Sequence, residues 1–210
     1  MIKINIFAAV LLIVFSLNLH PLIDMNDIVP VFPGEKQVQI EGAVIEGAIH
    51  FLEAQSFASL LLEEIEKSAQ QPLDYPSALA YAEKAVIEVE KSIHEYDRAI
   101  SAGKQVGYVN EVIQKFKNFD YDAFASDKGL NRDIMTVVKA YFTGGNILGA
   151  YQQRLEHLGD ILVTLHQIKE KLTDRQSPDI SLAWKLFQRF SEASLFGNYC
   201  TVTANAVFER

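Results

Sequence analysis

The sequence predicts an all-α protein: an up-and-down bundle of four long helices plus one or two short helices, preceded by an apolar N-terminal segment. From residue 35 onward, apolar residues recur every three or four positions, which is the period of an α-helix rather than of a strand. Turns that contain proline or glycine separate these periodic stretches. The chain has 210 residues, of which 49% are hydrophobic, and this is enough for one domain with a substantial core.

Residues 1–19 are predicted to be a signal peptide or a membrane anchor. Lys3 is the only charge before Asp24, and the run from Phe7 to Leu17 is apolar apart from Ser16. A basic start followed by an apolar run of about 7–15 residues is typical of a secretory signal, whereas a membrane-spanning helix needs about 20 such residues. Either interpretation makes the protein exported, as a periplasmic, extracellular or membrane-tethered chain; a buried N-terminal helix is the third alternative.

Residues 20–34 are predicted to form a linker, and residues 35–210 are predicted to form the helical bundle domain. The linker contains Pro21, Pro30 and Pro33. Each proline lacks an amide hydrogen and restricts the residue before it, so this stretch favours an extended chain over a helix.

The first long helix is predicted from about Glu35 to Gln70, and Pro72 and Pro76 follow it. Its apolar residues fall on two neighbouring stripes, which indicates a helix that contacts neighbours on more than one side. The main stripe is Val44, Ala48, Phe51, Ala58, Leu62 and Ile65, and the second stripe is Ile45, Ile49 and Leu52.

The second long helix is predicted from about Ser77 to Ala102 and carries the strongest periodicity in the chain. Its unbroken alternation of three and four positions is typical of a coiled-coil seam. A short helix is predicted from Val109 to Phe116, and residues 118–129 are predicted to be a loop. The seam consists of Leu79, Ala82, Val86, Val89, Ile93, Tyr96 and Ile100.

Three further helices are predicted in the second half of the chain. A short helix from about Asn131 to Phe142 ends before a pair of glycines. The third long helix runs from about Asn146 to Leu172. The fourth begins near Asp179, whose side chain can cap the first turn. The tail from Phe196 onward allows a short strand or a continuation of the helix.

The net charge of −8 argues against nucleic-acid binding, which needs a basic face. The acidity is concentrated in residues 35–100, which hold thirteen acidic and five basic residues, whereas residues 101–210 hold twelve and thirteen. Solvated faces and attraction between the two halves account for this asymmetry; an acidic patch for a basic partner or for cations is the alternative.

Motifs for catalysis are missing from the sequence. It contains no Gly-x-Ser-x-Gly, no Gly-rich phosphate-binding loop and no His-Glu-x-x-His. The single cysteine, Cys200, excludes an intrachain disulfide and is predicted to be a packed core thiol. The chain is therefore predicted not to be an enzyme and to need no cofactor.

Glu46, His50 and Glu53 are candidate metal ligands because residues four and seven apart lie on one face of a helix. His166, on the third long helix, is the candidate ligand from a second helix. A transition metal needs three or four ligands that converge at about 2 Å. A noncovalent haem held by His50 and His166, or with Met135 as a ligand, is a further alternative. Ordinary surface pairing of histidine with glutamate also explains this pattern without any ligand.

Phe119, Tyr121 and Phe124 form an aromatic group in the predicted loop. The loop either folds over one end of the bundle or presents these rings as a surface for an apolar ligand or a protein partner.

Together these observations predict a non-enzymatic, exported or membrane-tethered helical bundle that acts as a protein-interaction, adaptor or sensor-type module. The alternative is a ligand carrier that binds a metal, haem or a small apolar molecule between helices.

Overall fold

The computed structural model describes residues 36–106, 110–145 and 149–208, in which seven α-helices and no strand occur. The all-α prediction is therefore confirmed for this part of the chain. The described residues belong to one compact unit. The predictions for residues 1–19 and 20–34 lie outside the described residues.

Four of the helices are long, with 25 to 32 residues, and three are short, with 8 to 12 residues. The described residues thus hold one short helix more than the one or two that were predicted. The helices are α1 (Lys36–Lys67), α2 (Tyr75–Val106), α3 (Asn110–Asn118), α4 (Tyr121–Lys128), α5 (Arg132–Thr143), α6 (Gly149–Thr173) and α7 (Ile180–Phe208).

Helix α4 corrects the prediction of a loop over residues 118–129. Asp120 caps its N-terminus, where the carboxylate accepts a hydrogen bond from the amide of Ala123 at 3.0 Å. Gly129 ends it in the left-handed conformation, with φ of 63°. The helix has only 8 residues, so these two caps mark it more clearly than its apolar spacing does.

Helices α1 and α2 approach each other closely and run antiparallel. The Ser92 hydroxyl donates a hydrogen bond to the Gly47 carbonyl at 2.7 Å, and His50 lies 2.6 Å from Glu88. The residue numbers of the paired positions therefore rise along α1 and fall along α2. Gly47 is needed here because a Cβ at this position would lie 3.2 Å from ring atoms of Tyr96.

The four long helices share the larger core, in which α2 packs on α6, α6 on α7, and α7 on α1. Helices α2 and α6 run antiparallel, since Tyr96 pairs with Arg154 and Glu83 pairs with Lys169. The core is built from side chains that are at most 6% exposed: Phe51, Ala54, Ala58, Leu61, Leu62, Ile65, Ala78, Ala82, Ala85, Val86, Val89, Tyr96, Leu158, Ile161, Leu165, Ile168, Leu172, Ala183, Leu186, Phe190 and Ala193.

Arg154 brings a positive charge into this core. Its guanidinium group lies 5.1 Å from the ring centroid of Phe51 and 5.6 Å from that of Tyr96, and it donates a hydrogen bond to the Tyr96 hydroxyl at 2.7 Å. The same group lies against Gly197 of α7, where a Cβ would collide with it. Within the described residues, no carboxylate forms an ion pair with Arg154.

A second, smaller core joins the three short helices to the C-terminal half of α7. The rings of Phe116 and Phe142 pack with centroids 4.5 Å apart. The Tyr121 hydroxyl donates to the Phe116 carbonyl at 3.0 Å, and the Tyr199 hydroxyl accepts from the amide of Asn131 at 2.8 Å. The tail is therefore helical, and its apolar residues complete this core rather than form a strand.

None of the helices in the described ranges combines enough length with enough apolar character to cross a bilayer.

Candidate functional site

The outer face of α1 carries an apolar stripe, here called the α1 stripe, consisting of Val38, Ile49, Leu52 and Leu60. Their side chains are 70%, 44%, 42% and 39% exposed, in that order. Single exposed apolar residues are common on protein surfaces. Four of them on one face of a single helix indicate an interaction surface.

The geometry of the helix places the α1 stripe opposite the core. Val38, Ile49 and Leu60 are successively eleven positions apart, which is about three turns, so they lie above one another. The buried residues of α1 lie half a turn away from this line: Ile40, Ala43, Phe51, Ala54, Ala58, Leu61 and Ile65. Ile49 and Leu52 belong to the second stripe seen in the sequence, and in the described structure they face outward rather than contact a neighbouring helix.

An acidic border follows one side of the α1 stripe. Glu46 and Glu53 are both exposed, and they lie seven positions apart on the same side of the helix. Glu46 has no ion-pair partner among the described residues, and the basic group nearest to Glu53 is the His50 ring at 3.5 Å. Farther along, Lys67 pairs with Glu63 at 3.0 Å and with Glu64 at 2.9 Å. The unneutralised part of the border is therefore the part beside Ile49 and Leu52.

Three potential metal ligands converge where this border meets α2, and we call them the His50 cluster: His50, Glu53 and Glu88. His50 Nδ1 lies 2.6 Å from Glu88 Oε2 and 3.5 Å from Glu53 Oε2. One ligand atom of each residue lies within 4.8 Å of the other two. The antiparallel packing of α1 and α2 brings Glu88 to this position, 38 residues away from His50 in sequence.

Glu88 is the most buried member of the cluster, with a residue exposure of 9%. Burial alone would raise its pKa, but hydrogen bonds from Lys91 and His50, together with its contact with Glu53, outweigh burial and lower the pKa below its ordinary value. The Lys91 ammonium donates to Oε1 at 2.7 Å, and this leaves Oε2 to His50. The carboxylate is therefore held ionised and in a fixed orientation.

A groove of about 330 Å³ runs beside the cluster on the α2 side. It gives solvent and small solutes access to the His50 ring, and two additional groups that can ligate a metal, His94 and Glu90, line it together with Ile87, Lys91 and Glu95.

The structure brings together two of the four residues that the sequence indicated as metal ligands. His50 and Glu53 belong to the cluster, whereas Glu46 and His166 do not. Glu46 lies one turn earlier on α1, and His166 is exposed on α6. Glu88 was missed because nothing in the sequence distinguishes it from the other acidic residues of α2. Its position beside His50 depends on the register between α1 and α2, which the sequence does not show.

The aromatic group indicated as a partner or ligand surface lies in the second core. Tyr121 and Phe124 are 2% and 6% exposed, and Phe119 packs on both, with ring centroids 5.0 and 5.3 Å away. Burial also raises the pKa of the Tyr121 hydroxyl. In the described structure these rings stabilise the packing of the short helices.

The arrangement thus offers two neighbouring capacities that share Glu53: a long apolar and acidic face for a macromolecule, and a small set of nitrogen and oxygen ligands at its edge. Comparison with known proteins finds no matching family model, no matching curated protein and no matching solved structure.

Proposed function

We propose that this protein is a non-enzymatic, exported or membrane-tethered interaction module, an up-and-down bundle of four long helices that binds another protein through the outer face of α1. The observation that carries the proposal is the α1 stripe, which lies opposite the core and is bordered by Glu46 and Glu53. The apolar, slightly basic start of the sequence supports export.

The chemistry of the α1 stripe defines the partner. A straight apolar line on a helix fits the apolar stripe of a second helix, which inserts side chains between Ile49, Leu52 and Leu60. The carboxylates of Glu46 and Glu53 favour lysine or arginine on the facing edge of that helix, and they disfavour an acidic edge. The partner is therefore an amphipathic helix whose apolar stripe has a basic border.

Photo-crosslinking in the source cells tests this proposal. A photoreactive phenylalanine derivative is placed at Leu52 on the α1 stripe and, as a control, at Val163, which is 59% exposed and is the single exposed large apolar residue among the described residues of α6. We expect an adduct from position 52 and none from position 163. Mass spectrometry of the adduct should identify a peptide with apolar residues at helical spacing next to lysine or arginine.

The charged border provides the second arm of the experiment. The double variant Glu46→Lys with Glu53→Lys should reduce the yield of the position 52 adduct at least tenfold, and 0.5 M salt should reduce it in the unmodified chain. An adduct with twice the mass of the chain would show that the partner is a second copy of this chain and would overturn the proposal of a different protein. Equal adducts from both positions, or an acidic adduct peptide, would overturn the proposal.

Export is tested separately by the intact mass of the mature protein from its source. A mass that lacks the residues up to a site near Ser16, or a full-length chain in the membrane fraction, would support it. A full-length chain in the cytosolic fraction would contradict it.

A further inference from the structure

We propose that the His50 cluster is a binding site for one divalent transition-metal ion, with His50, Glu53 and Glu88 as protein ligands. This proposal goes beyond the function proposed above: it shares Glu53 with the acidic border, but it depends neither on the α1 stripe nor on a protein partner. It also differs from the pairing of His50 with His166 that the sequence suggested, since the ligand from the second helix is Glu88 of α2.

The distances within the cluster suit a metal of zinc's size. With bonds of about 2.0–2.1 Å, tetrahedral ligand atoms lie about 3.3 Å apart. His50 Nδ1 is 3.5 Å from Glu53 Oε2, which already matches, and 2.6 Å from Glu88 Oε2, which must widen by several tenths of an ångström. The proton that His50 shares with Glu88 moves to Nε2 or is released, so that Nδ1 presents its lone pair to the metal.

The surroundings hold the ligands in place. The Glu88 side chain is 12% exposed and that of His50 is 22% exposed, so packing restricts both. Lys91 binds the second oxygen of Glu88 and acts as a positioning residue that keeps Oε2 directed at His50. The hydrogen bond from Ser92 to Gly47 fixes the register of α1 against α2 one turn away.

The kind of ligands indicates the kind of metal. One imidazole nitrogen and two carboxylate oxygens suit zinc and its divalent first-row neighbours, and the set contains no thiolate for soft ions such as Cu(I). Water that enters from the groove is available for a fourth position. Two carboxylates against one nearby lysine leave the site negative, which attracts a cation.

Zinc titration of the full chain tests this site, by calorimetry after chelator treatment and with cobalt absorption as a spectroscopic readout. We expect one saturable zinc per chain. Glu53→Gln and His50→Ala should each weaken zinc binding at least tenfold and reduce the tetrahedral cobalt band. Glu53 is half exposed, so the Glu53→Gln variant should fold normally, which circular dichroism checks.

Two matched controls separate this site from the alternatives. Glu46→Gln removes an exposed carboxylate one turn away, and His166→Ala removes an exposed histidine of α6; neither should change zinc affinity. Loss of binding in the His166 variant would restore the site suggested by the sequence and overturn this one. The proposal would also be overturned if zinc binding did not saturate, or if neither His50→Ala nor Glu53→Gln changed the zinc affinity.

Discussion

Glu88 is a carboxylate at a nearly buried position of α2, and its neighbours determine what that burial costs. An isolated charge at this depth would favour its neutral form, but Lys91 and His50 each place a hydrogen-bond donor within 2.7 Å of a carboxylate oxygen. Because its pKa is lower in the folded chain than the ordinary 4.5, the ionised form stabilises the fold.

The sign of this contribution gives a prediction for acid stability. Above the unfolded pKa the stabilisation by Glu88 is complete, and it is lost as the pH falls through the lower folded pKa. In metal-free buffer, the free energy of unfolding should therefore fall below about pH 4.5. Urea titrations of the wild type and Glu88→Gln should differ at pH 7, and the difference should shrink as the pH falls below about 4.5. A difference that stays constant as the pH falls would show that Glu88 does not act through its charge.

Cys200 behaves as a core side chain rather than as a reactive thiol. It is 7% exposed, and burial raises the pKa of its thiol to about 12 despite the opposing positive charge of Arg154. We expect iodoacetamide at pH 8 to leave the native protein unmodified and to alkylate it completely in denaturant. A Ser56→Cys variant provides an exposed thiol that should react within minutes. Rapid alkylation of native Cys200 would contradict this placement.

At the scale of single elements, the long helices could be predicted because their apolar residues repeat over many turns. The second stripe of α1 was also visible in the sequence, but the sequence did not show whether this stripe faces solvent or a neighbouring helix. Ile49 and Leu52 suggested a second neighbouring helix, whereas the described structure exposes them. Periodicity shows that a face is apolar, but it does not show what covers that face.

The His50 cluster could be predicted only in part for a related reason. Contacts within one helix follow from spacing, which joined His50 to Glu53. The contact with Glu88 depends on the register between α1 and α2, which is set by Gly47, Ser92 and the turn between the helices. Helix α4 escaped prediction because it has only 8 residues, too few to show a periodic apolar face.

The close approach of α1 to α2 gives a prediction for two glycines of the same helix. A Cβ at Gly47 would lie 3.2 Å from the Tyr96 ring. This ring has no room to move, because it is buried, stacked on Tyr151 and hydrogen-bonded through its hydroxyl to Arg154. Gly47→Ala should lower the free energy of unfolding by about 1 kcal/mol or more. Gly42 has nothing within 4 Å of its Cβ position, so Gly42→Ala should raise it by about 0.5–1 kcal/mol. Thermal or urea denaturation checks both, and equal effects would argue against the close approach.

At the scale of the whole molecule, the two larger cores of the described chain share α7. Its first half packs with α1 and α6, and its second half packs with the short helices. The short helices bury less apolar surface and make few contacts with the bundle, which is the condition for independent local opening.

This division predicts two distinct responses to core truncation. Phe116→Ala removes a ring that is 1% exposed and packed on Phe142, at a cost of about 3–5 kcal/mol for the second core. Amide hydrogen exchange should accelerate in α3–α5 and little in α1 and α2. Phe190→Ala, in the larger core, should instead accelerate exchange in the four long helices. Identical exchange patterns for the two variants would show that the cores unfold as one unit.

The position of α7 also affects the order in which the chain can fold as the ribosome makes it. The aromatic residues of α3–α5 leave the ribosome well before their partners Phe196, Cys200 and Val207 have been added. At a synthesis rate of about 5–20 residues per second, the delay is on the order of several seconds. During that interval Phe116, Tyr121 and Phe142 lack the helix that covers them, so the nascent chain is expected to be most prone to aggregation, and most in need of a chaperone, until α7 has been added.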